Sequence, residues 1–402
     1  MRSALRRLIG GRWPLAIGLV AAAALGLTAC GGDDGSSAGG TGTAAGQGTA
    51  DSSSGSEKPI ELKIGELSFS MEKYCGTKPM KIGLLDGFGG NTWRLQVRAL
   101  NEKFRQVCRN VTDVRYYDAN LDAQKYANAV SSWAAQGFNV VYAYPDFGPL
   151  SVPAFRQAQQ QGLKVGTSNS PIGDDVVPSA VAASVVENFD DAAQKFVKFM
   201  DDATEGTAKI LLVGGPASNS QDPAIIAAMR KAIQSTGADV EFLQNNHVVG
   251  NWDTAATAKA MAAAVGKYRQ IDGVVDTYMA TAPAVIRAFK GADRKLPAIA
   301  GQGMTNRVVC QLHEELKSDP GFNMFSIDAS GNAPPLALAK AIASYQGISA
   351  PELGPSDKPT YFNMPVYVDT LTKQIPKCDR SLPPDADLSM ALSPQEIAAL
   401  EK

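Results

Sequence analysis

The sequence predicts an α/β protein built on parallel sheets with helices on both faces. Short apolar runs alternate with stretches of helical period through most of the chain. The first of them, Lys81–Leu85, runs into a glycine-rich turn, Asp86–Asn91, and then a helix, Thr92–Val107, with Leu95, Ala99 and Leu100 at helical spacing. Strand, turn and helix in that order make the first half of a βαβ unit. The composition is globular from about residue 79 to 378 of the 402, a length that fits two domains of ordinary size.

That first turn also marks where function is to be sought. Open α/β sheets bind ligands beyond the carboxyl ends of their strands. Phe88, Asn91 and Trp93 fall there, with Asn91 or Thr92 as the helix N-cap. A dinucleotide fingerprint is excluded, because Thr92 stands where its last glycine belongs, and no Walker A motif occurs in the chain.

Upstream, Arg2, Arg6, Arg7 and Arg12 precede an apolar run from Pro14 to Leu27 that ends Leu27-Thr28-Ala29-Cys30. A charged segment followed by an apolar run too short to span a bilayer is an export signal. Its ending resembles the bacterial lipoprotein signal, which implies residues 1–29 as signal peptide and a lipid on Cys30. Residues 30–78 are expected as a tether, since Gly, Ser, Thr, Ala and Asp dominate up to about Lys58 and bury too little surface to fold. No other run is long and apolar enough to span a membrane, so membrane contact is expected through the N-terminal lipid only.

The charge balance, 38 Lys and Arg against 40 Asp and Glu, gives no electrostatic footprint for nucleic acid. The two histidines, His247 and His313, are far apart and are expected as structural or surface residues, which leaves a metal site or catalytic triad without support. No cofactor is expected. Setting Cys30 aside, Cys75, Cys108, Cys310 and Cys378 remain, an even number that argues for disulfides in an exported protein. Sequence alone leaves the pairing open.

The elements follow in order. Val114–Tyr117 is a strand, and Asp122–Gln136 a helix with Tyr126, Val130 and Trp133 on its apolar face, Trp133 in the core. Strands at Asn139–Ala143, Lys164–Thr167 and Ala180–Val186 alternate with helices at Ser151–Gln161 and Asp190–Asp202. Strands at Lys209–Gly214, Glu241–Asn246, Gly273–Thr277 and Ala298–Gly301 alternate with helices at Asp222–Ser235, Asp253–Gly266 and Ala282–Gly291. A helix through Cys310–Leu316, a short strand Phe325–Ile327 and a helix Pro334–Gln346 follow, with alanine-rich helices at Asp253 and Pro334 suited to close packing on a sheet. Such alternation means parallel sheets with right-handed crossovers.

Several features in this order resemble the periplasmic binding proteins of the ribose/galactose type, the solute receptors of ABC importers. They are Asn91-Thr92-Trp93 in the first turn, Asp118-Ala119-Asn120 after the second strand, and Tyr144-Pro145-Asp146 after the third. Further along come Ser184-Val185-Val186-Glu187-Asn188, Gly214-Gly215, Trp252-Asp253 and Pro365-Val366-Tyr367-Val368. The resemblance covers roughly residues 79–376. It implies two similar doubly wound lobes joined by a three-segment hinge near 186–188, 325–329 and 364–366, with the ligand between them. The lobes are then 79–186 with 328–364 and 187–327 with 365–380, leaving 381–402 as a tail. With those lobes, Cys75–Cys108 and Cys310–Cys378 is the expected pairing, each bridge within one lobe.

The chain departs from the sugar-binding pattern in places. Ser168-Asn169-Ser170 stands for an Asp-Arg pair, Gly301-Gln302-Gly303 for Gly-x-Asp-Gly, Arg94 for a second aromatic, and Asp328 roughly for a glutamine at the third crossover. The remaining candidates still describe a polyol pocket. Phe88, Trp93 and Trp252 offer flat apolar faces; Asn91, Asp146, Asn169, Asn188, Tyr278, Gln302 and Asp328 offer directional hydrogen-bonding groups. Hydroxyl-rich ligands need many such groups, because each unpaired buried polar atom costs about 1–3 kcal/mol. Arg94 is expected in a surface or hinge ion pair, with contact to an anionic ligand as the alternative.

The expected function is therefore an extracytoplasmic, lipid-anchored, monomeric solute-binding protein. It captures a sugar or polyol and hands it to ABC permease subunits. A sensor module presenting ligand to a membrane signalling partner is the alternative. A secreted α/β hydrolase is disfavoured, because the Gly-x-Ser-x-Gly elbow is absent and the histidines are poorly placed.

Overall fold

A computed structural model of the chain describes residues 60–388 and 392–400. The export signal, Cys30 and the tether as far as residue 59 lie outside the described residues.

The described chain opens with an antiparallel hairpin, β1 (Glu61–Ile64) and β2 (Leu67–Ser70), and a single 3-10 turn, Met71–Tyr74. This corrects the sequence reading, which ended the tether at residue 78. Leu62, Phe69, Met71 and Tyr74 are buried in the main hydrophobic cluster, and Cys75 is bonded to Cys108. Burial of those side chains at about 1.5–3 kcal/mol each offsets the entropy of ordering the segment.

The first lobe follows. Strand β3 (Met80–Asp86) leads through the glycine turn to helices α1 (Thr92–Glu102) and α2 (Phe104–Val107), then β4 (Val111–Asp118) and α3 (Ala123–Ala135). Next come β5 (Val140–Ala143), α4 (Val152–Gln160), β6 (Lys164–Asn169) and β7 (Ala183–Glu187). Helix α3 starts where the Asp122 carboxylate accepts the backbone N–H groups of Gln124 and Lys125. Trp133 stacks on Phe138 in the core, as its place mid-helix predicts.

The second lobe runs α5 (Phe189–Ala203), β8 (Ala208–Gly214), α6 (Gln221–Thr236), β9 (Val240–Phe242), β10 (Val248–Val249), α7 (Thr254–Lys267), β11 (Gly273–Asp276), α8 (Ala282–Gly291), β12 (Ala298–Gln302), α9 (Asn306–Ser318) and β13 (Met324–Ile327). The chain then returns to the first lobe for α10 (Ala333–Gln346) and β14 (Thr360–Phe362), and crosses again to β15 (Val366–Asp369). Helix α11 (Pro394–Leu400) closes the described chain.

The six-stranded first sheet has the order β14-β7-β6-β5-β3-β4, all parallel. The second has seven strands, β10-β8-β11-β12-β13-β15 with β9 also on β8; β15 is antiparallel to β13. The strand predicted at Glu241–Asn246 is realised only at its start, as β9; residues 243–246 are not strand, and β10 follows them. The central strands are buried along nearly their whole length, which explains their continuous apolar runs. Alanine in α10 serves close packing. Ala337 and Ala341 lie on β6, where a Cβ on Gly166 would meet the Ala337 carbonyl oxygen at 2.5 Å.

Three segments pass between the sheets: after Glu187, after Ile327, and between Phe362 and Val366. A second disulfide, Cys310–Cys378, ties α9 to the chain beyond β15. The tail expected from residue 381 is in part folded: Thr305 and Asp387 form an isolated antiparallel bridge, and Ala386 is buried.

Candidate functional site

The carboxyl ends of strands from both sheets meet at a cavity of about 40 Å³. Asn91, Trp93 and Arg94 reach it from the turn and helix after β3, Tyr144 from the end of β5, and Asn169 from β6. Gln221, Trp252, Thr277, Tyr278 and Gln302 reach it from the second lobe, and Ala329 and Ser330 from the crossing after β13. In this closed form there is room for a few water molecules and not for a sugar ring.

The first lobe builds its wall on a buried cation. Asn91 caps α1 by accepting the N–H of Arg94 at 3.0 Å, which sets the first turn of the helix and turns the guanidinium inward. Arg94 Nη1 donates to Asp86 at 2.9 Å and Nη2 to Asp146 at 2.7 Å, and the guanidinium lies 3.2 Å over the Tyr144 ring. All three ionic side chains are buried. Burial pushes the Asp86 carboxyl up to about 6 although Arg94 pulls the other way, with the Asp146 charge adding to the rise. Asp146 also accepts the Gly87 N–H at 2.8 Å, and a Cβ on Gly87 would sit 2.7 Å from the Asp146 side chain. Glycine at 87 is thus required by close approach.

The second lobe builds its wall on hydroxyls and amides. The Trp252 indole N–H donates to Thr277 Oγ1 at 3.0 Å, and Thr277 donates to Asp222 at 2.8 Å. Asp222 accepts the Gly215 N–H at 2.8 Å and the Asn219 amide at 2.9 Å. Trp252 has φ +49°, and its ring lies where a Cβ on Gly215 would approach to 2.5 Å. His247 lies beside this network, buried, 3.2 Å from the Gly215 carbonyl oxygen, while His313 faces the Pro376 carbonyl oxygen at 2.8 Å; both are structural in placement.

Across the junction the polar groups pair with one another. Tyr144 Oη donates to Gln221 at 3.1 Å, Gln221 to Gln302 at 2.7 Å, and Gln302 to Glu187. Asn169 donates to Ser330, and the Thr92 and Tyr278 hydroxyls are 3.0 Å apart. Burial pushes the Glu187 carboxyl up to about 8, and one of its oxygens has no hydrogen-bond partner. The Trp93 indole N–H is likewise unpartnered.

Of the residues expected at the site, Asn91, Trp93, Asn169, Trp252, Tyr278 and Gln302 line this cavity. Phe88, Asp146, Asn188 and Asp328 do not. Asp146 is taken up by Arg94 and Gly87. Asn188 caps α5 through Asp191 N–H and meets Asn363 at the hinge. Asp328 accepts the Ser330 N–H, and Phe88 lies against Gly90. Arg94 was expected in a surface or hinge ion pair; its pairing is ionic, but deeply buried within the first lobe. The sequence reading missed Tyr144, Gln221, Thr277, Ala329 and Ser330. Tyr144 carried a signal, because it stands in the Tyr-Pro-Asp motif at a strand end. Gln221, first residue of a helix, carried none.

Among the described residues there is no group of three or more His, Cys, Asp or Glu placed to hold a metal ion, and no helix long and apolar enough to cross a membrane.

Residues 82–319 match a family model described as a periplasmic binding protein domain. No curated protein sequence matches the chain. Among solved structures, an ABC transporter solute binding protein from Thermobispora bispora is similar at 19% identity and TM-score 0.63, over 80% of this chain and 94% of that one. One from Mycobacterium smegmatis with bound glycerol is similar at 17% identity and TM-score 0.59, over 74% and 98%. Another, from Actinobacillus succinogenes with bound D-allose, gives 16% and TM-score 0.57, over 73% and 99%. These likenesses show the fold, and the family match spans more than half of the chain. With its parallel-sheet lobes and the cavity between them, the chain belongs to the periplasmic binding protein family and has its type I fold.

Proposed function

We propose that the protein is an extracytoplasmic solute-binding lipoprotein that captures a sugar or polyol between its lobes and delivers it to the permease of an ABC importer. The observation that carries this reading is the cavity at the lobe junction. Trp93 and Trp252 face it from opposite lobes, among amide and hydroxyl groups of Asn91, Asn169, Gln302, Thr277 and Tyr278. Aromatic faces with directional polar groups suit a small hydroxyl-rich ligand. Arg94 favours a neutral one, because its charge is already met by Asp86 and Asp146. The similar structures from M. smegmatis and A. succinogenes hold glycerol and D-allose, and one from Agrobacterium vitis holds allitol.

The lobes open and close by bending near Glu187, Ile327 and Pro365, a population shift set by how much better the closed form binds ligand. The protein acts as a monomer without covalent chemistry. Cys30, at the end of the export signal, carries the lipid that holds it at the membrane, so Cys30→Ala releases it into the soluble fraction.

A thermal-shift screen against sugars, polyols, nucleosides and small acids tests the ligand class. A ligand that binds only the native state stabilises it by RT ln(1 + [L]/Kd), about 2.7 kcal/mol at a hundredfold excess over Kd. A rise in Tm with a neutral sugar or polyol is expected. A screen in which only an acid or nucleoside raises Tm overturns the assignment of ligand class.

A further inference from the structure

Beyond the disulfide at Cys378, the described residues 379–388 stay on the molecule. They run along the second lobe, where the Asn306 amide donates to the Asp379 carbonyl at 2.7 Å and the Arg307 N–H donates to the Pro384 carbonyl at 2.7 Å. The Asn306 N–H donates to the Ala386 carbonyl at 3.0 Å, and Arg307 pairs with Asp385 at 2.9 Å.

The same segment also grips the first lobe. Gln96, one turn along α1 from Thr92, is only 2% exposed. Its amide nitrogen donates to the Asp385 carbonyl at 3.0 Å, and its amide oxygen accepts the Asp387 N–H at 3.3 Å. A buried glutamine whose donor and acceptor are both matched by one strand of backbone is a specific grip. Helix α11 adds a second foothold on the same lobe, with Glu396 2.7 Å from Lys103 and Ile397 buried. Thr92, Gln96 and Asp385 line one groove, and the Thr92 hydroxyl is the group that meets Tyr278 across the cleft. The strap thus lies just outside that contact.

We propose that residues 379–388 are a clasp: a fourth, non-covalent link between the lobes that holds the ligand-free protein closed. Opening separates Thr92 from Tyr278, and Gln96, on the same face of α1, must then leave the strap's backbone. The clasp holds the cleft in the form that has no room for a sugar ring, so it lowers the fraction of binding-competent molecules, and apparent affinity falls with that fraction. Its effect on affinity rests on the solute-binding reading; its grip on the two lobes does not.

Amide hydrogen exchange on the full chain in detergent, without ligand, tests it. Gln96→Glu keeps the shape of the side chain and replaces its donor with a second acceptor facing the Asp385 carbonyl. Exchange in this variant should rise at least fivefold at Asp387 and also at the cleft amides of residues 276–282, which do not touch Gln96, while core strand β8 stays protected. Faster exchange at the strap alone, or no change, overturns the clasp. If β8 also loses protection, Gln96→Met, which removes both hydrogen bonds at similar volume, takes its place. Loss of β8 protection in both variants assigns Gln96 to the fold and likewise overturns the proposal. Failure of the solute-binding reading would show instead in the ligand screen, with these exchange rates unaffected.

Discussion

The two lobes solve one local problem with different chemistry. Each must hold the backbone N–H of a glycine just past a sheet strand, and each uses a carboxylate from a neighbouring segment. Asp146 holds Gly87 in the first lobe and Asp222 holds Gly215 in the second, both at 2.8 Å. The first lobe then neutralises its carboxylates with the Arg94 guanidinium. The second satisfies Asp222 with the Asn219 amide and the Thr277 hydroxyl, which in turn orients Trp252. The first wall is therefore brittle: removing its one cation strands two buried carboxylates. In the second wall Trp252, which lines the cavity, is set by a single neutral hydroxyl, so the loss of that hydroxyl is felt as misorientation more than as instability.

Arg94→Met tests that contrast with the largest effect. Breaking a buried ion pair by removing one partner costs about 3–5 kcal/mol, and urea unfolding should show a loss in that range. Thr277→Val, which removes the hydroxyl between Trp252 and Asp222, should cost about 1–3 kcal/mol. Equal losses would erase the distinction between the walls.

Next come the two indoles. Trp93→Ala and Trp252→Ala should each weaken binding of the ligand found by thermal shift by at least tenfold, about 1.4 kcal/mol, with circular dichroism unchanged. Thr277→Val should weaken it less, since the Trp252 ring remains. Titration calorimetry decides; full affinity in either tryptophan variant removes that residue from the site.

The smallest effect concerns the junction between the lobes. Burial lifts the Glu187 carboxyl from an ordinary value near 4.5 to about 8. A raised folded-state pKa means that the stability this acid contributes is fully present below about 4.5 and is lost as pH rises through about 8. Glu187→Gln keeps an acceptor for Gln302 and cannot ionise. Its Tm should match wild type near pH 4.5 and exceed it increasingly toward pH 8, whereas a constant offset across that range would contradict the buried-acid reading.

The sequence carried the fold well, because parallel strands buried on both faces leave continuous apolar runs, and the helices between them leave a 3.6-residue period. What it hid was short or long-range. The hairpin at Glu61–Ser70 has only four residues per strand and follows a polar tract, so its pattern reads as part of the tether. The strand Thr360–Phe362 has three residues and owes its state to pairing with Ala183–Glu187. At the site, aromatic and amide residues at strand ends were legible: Trp93, Trp252, Asn169 and Gln302 reach the cavity. Asp146 was misplaced because nothing local shows that a carboxylate at a strand end will be consumed by an arginine 52 positions away. Gln96 was invisible for the same reason, its partners lying 289 and 291 positions along the chain.

The most direct test of the central claim is a crystal structure of the complex with whichever sugar or polyol raises Tm most. The account predicts the ligand in the cleft with Trp93 on one side and Trp252 on the other, hydrogen-bonded to both lobes, and the Tyr144–Gln221 or Gln221–Gln302 pairing replaced by ligand contacts. A ligand held by one lobe alone, or bound outside the cleft with that pairing intact, would contradict it.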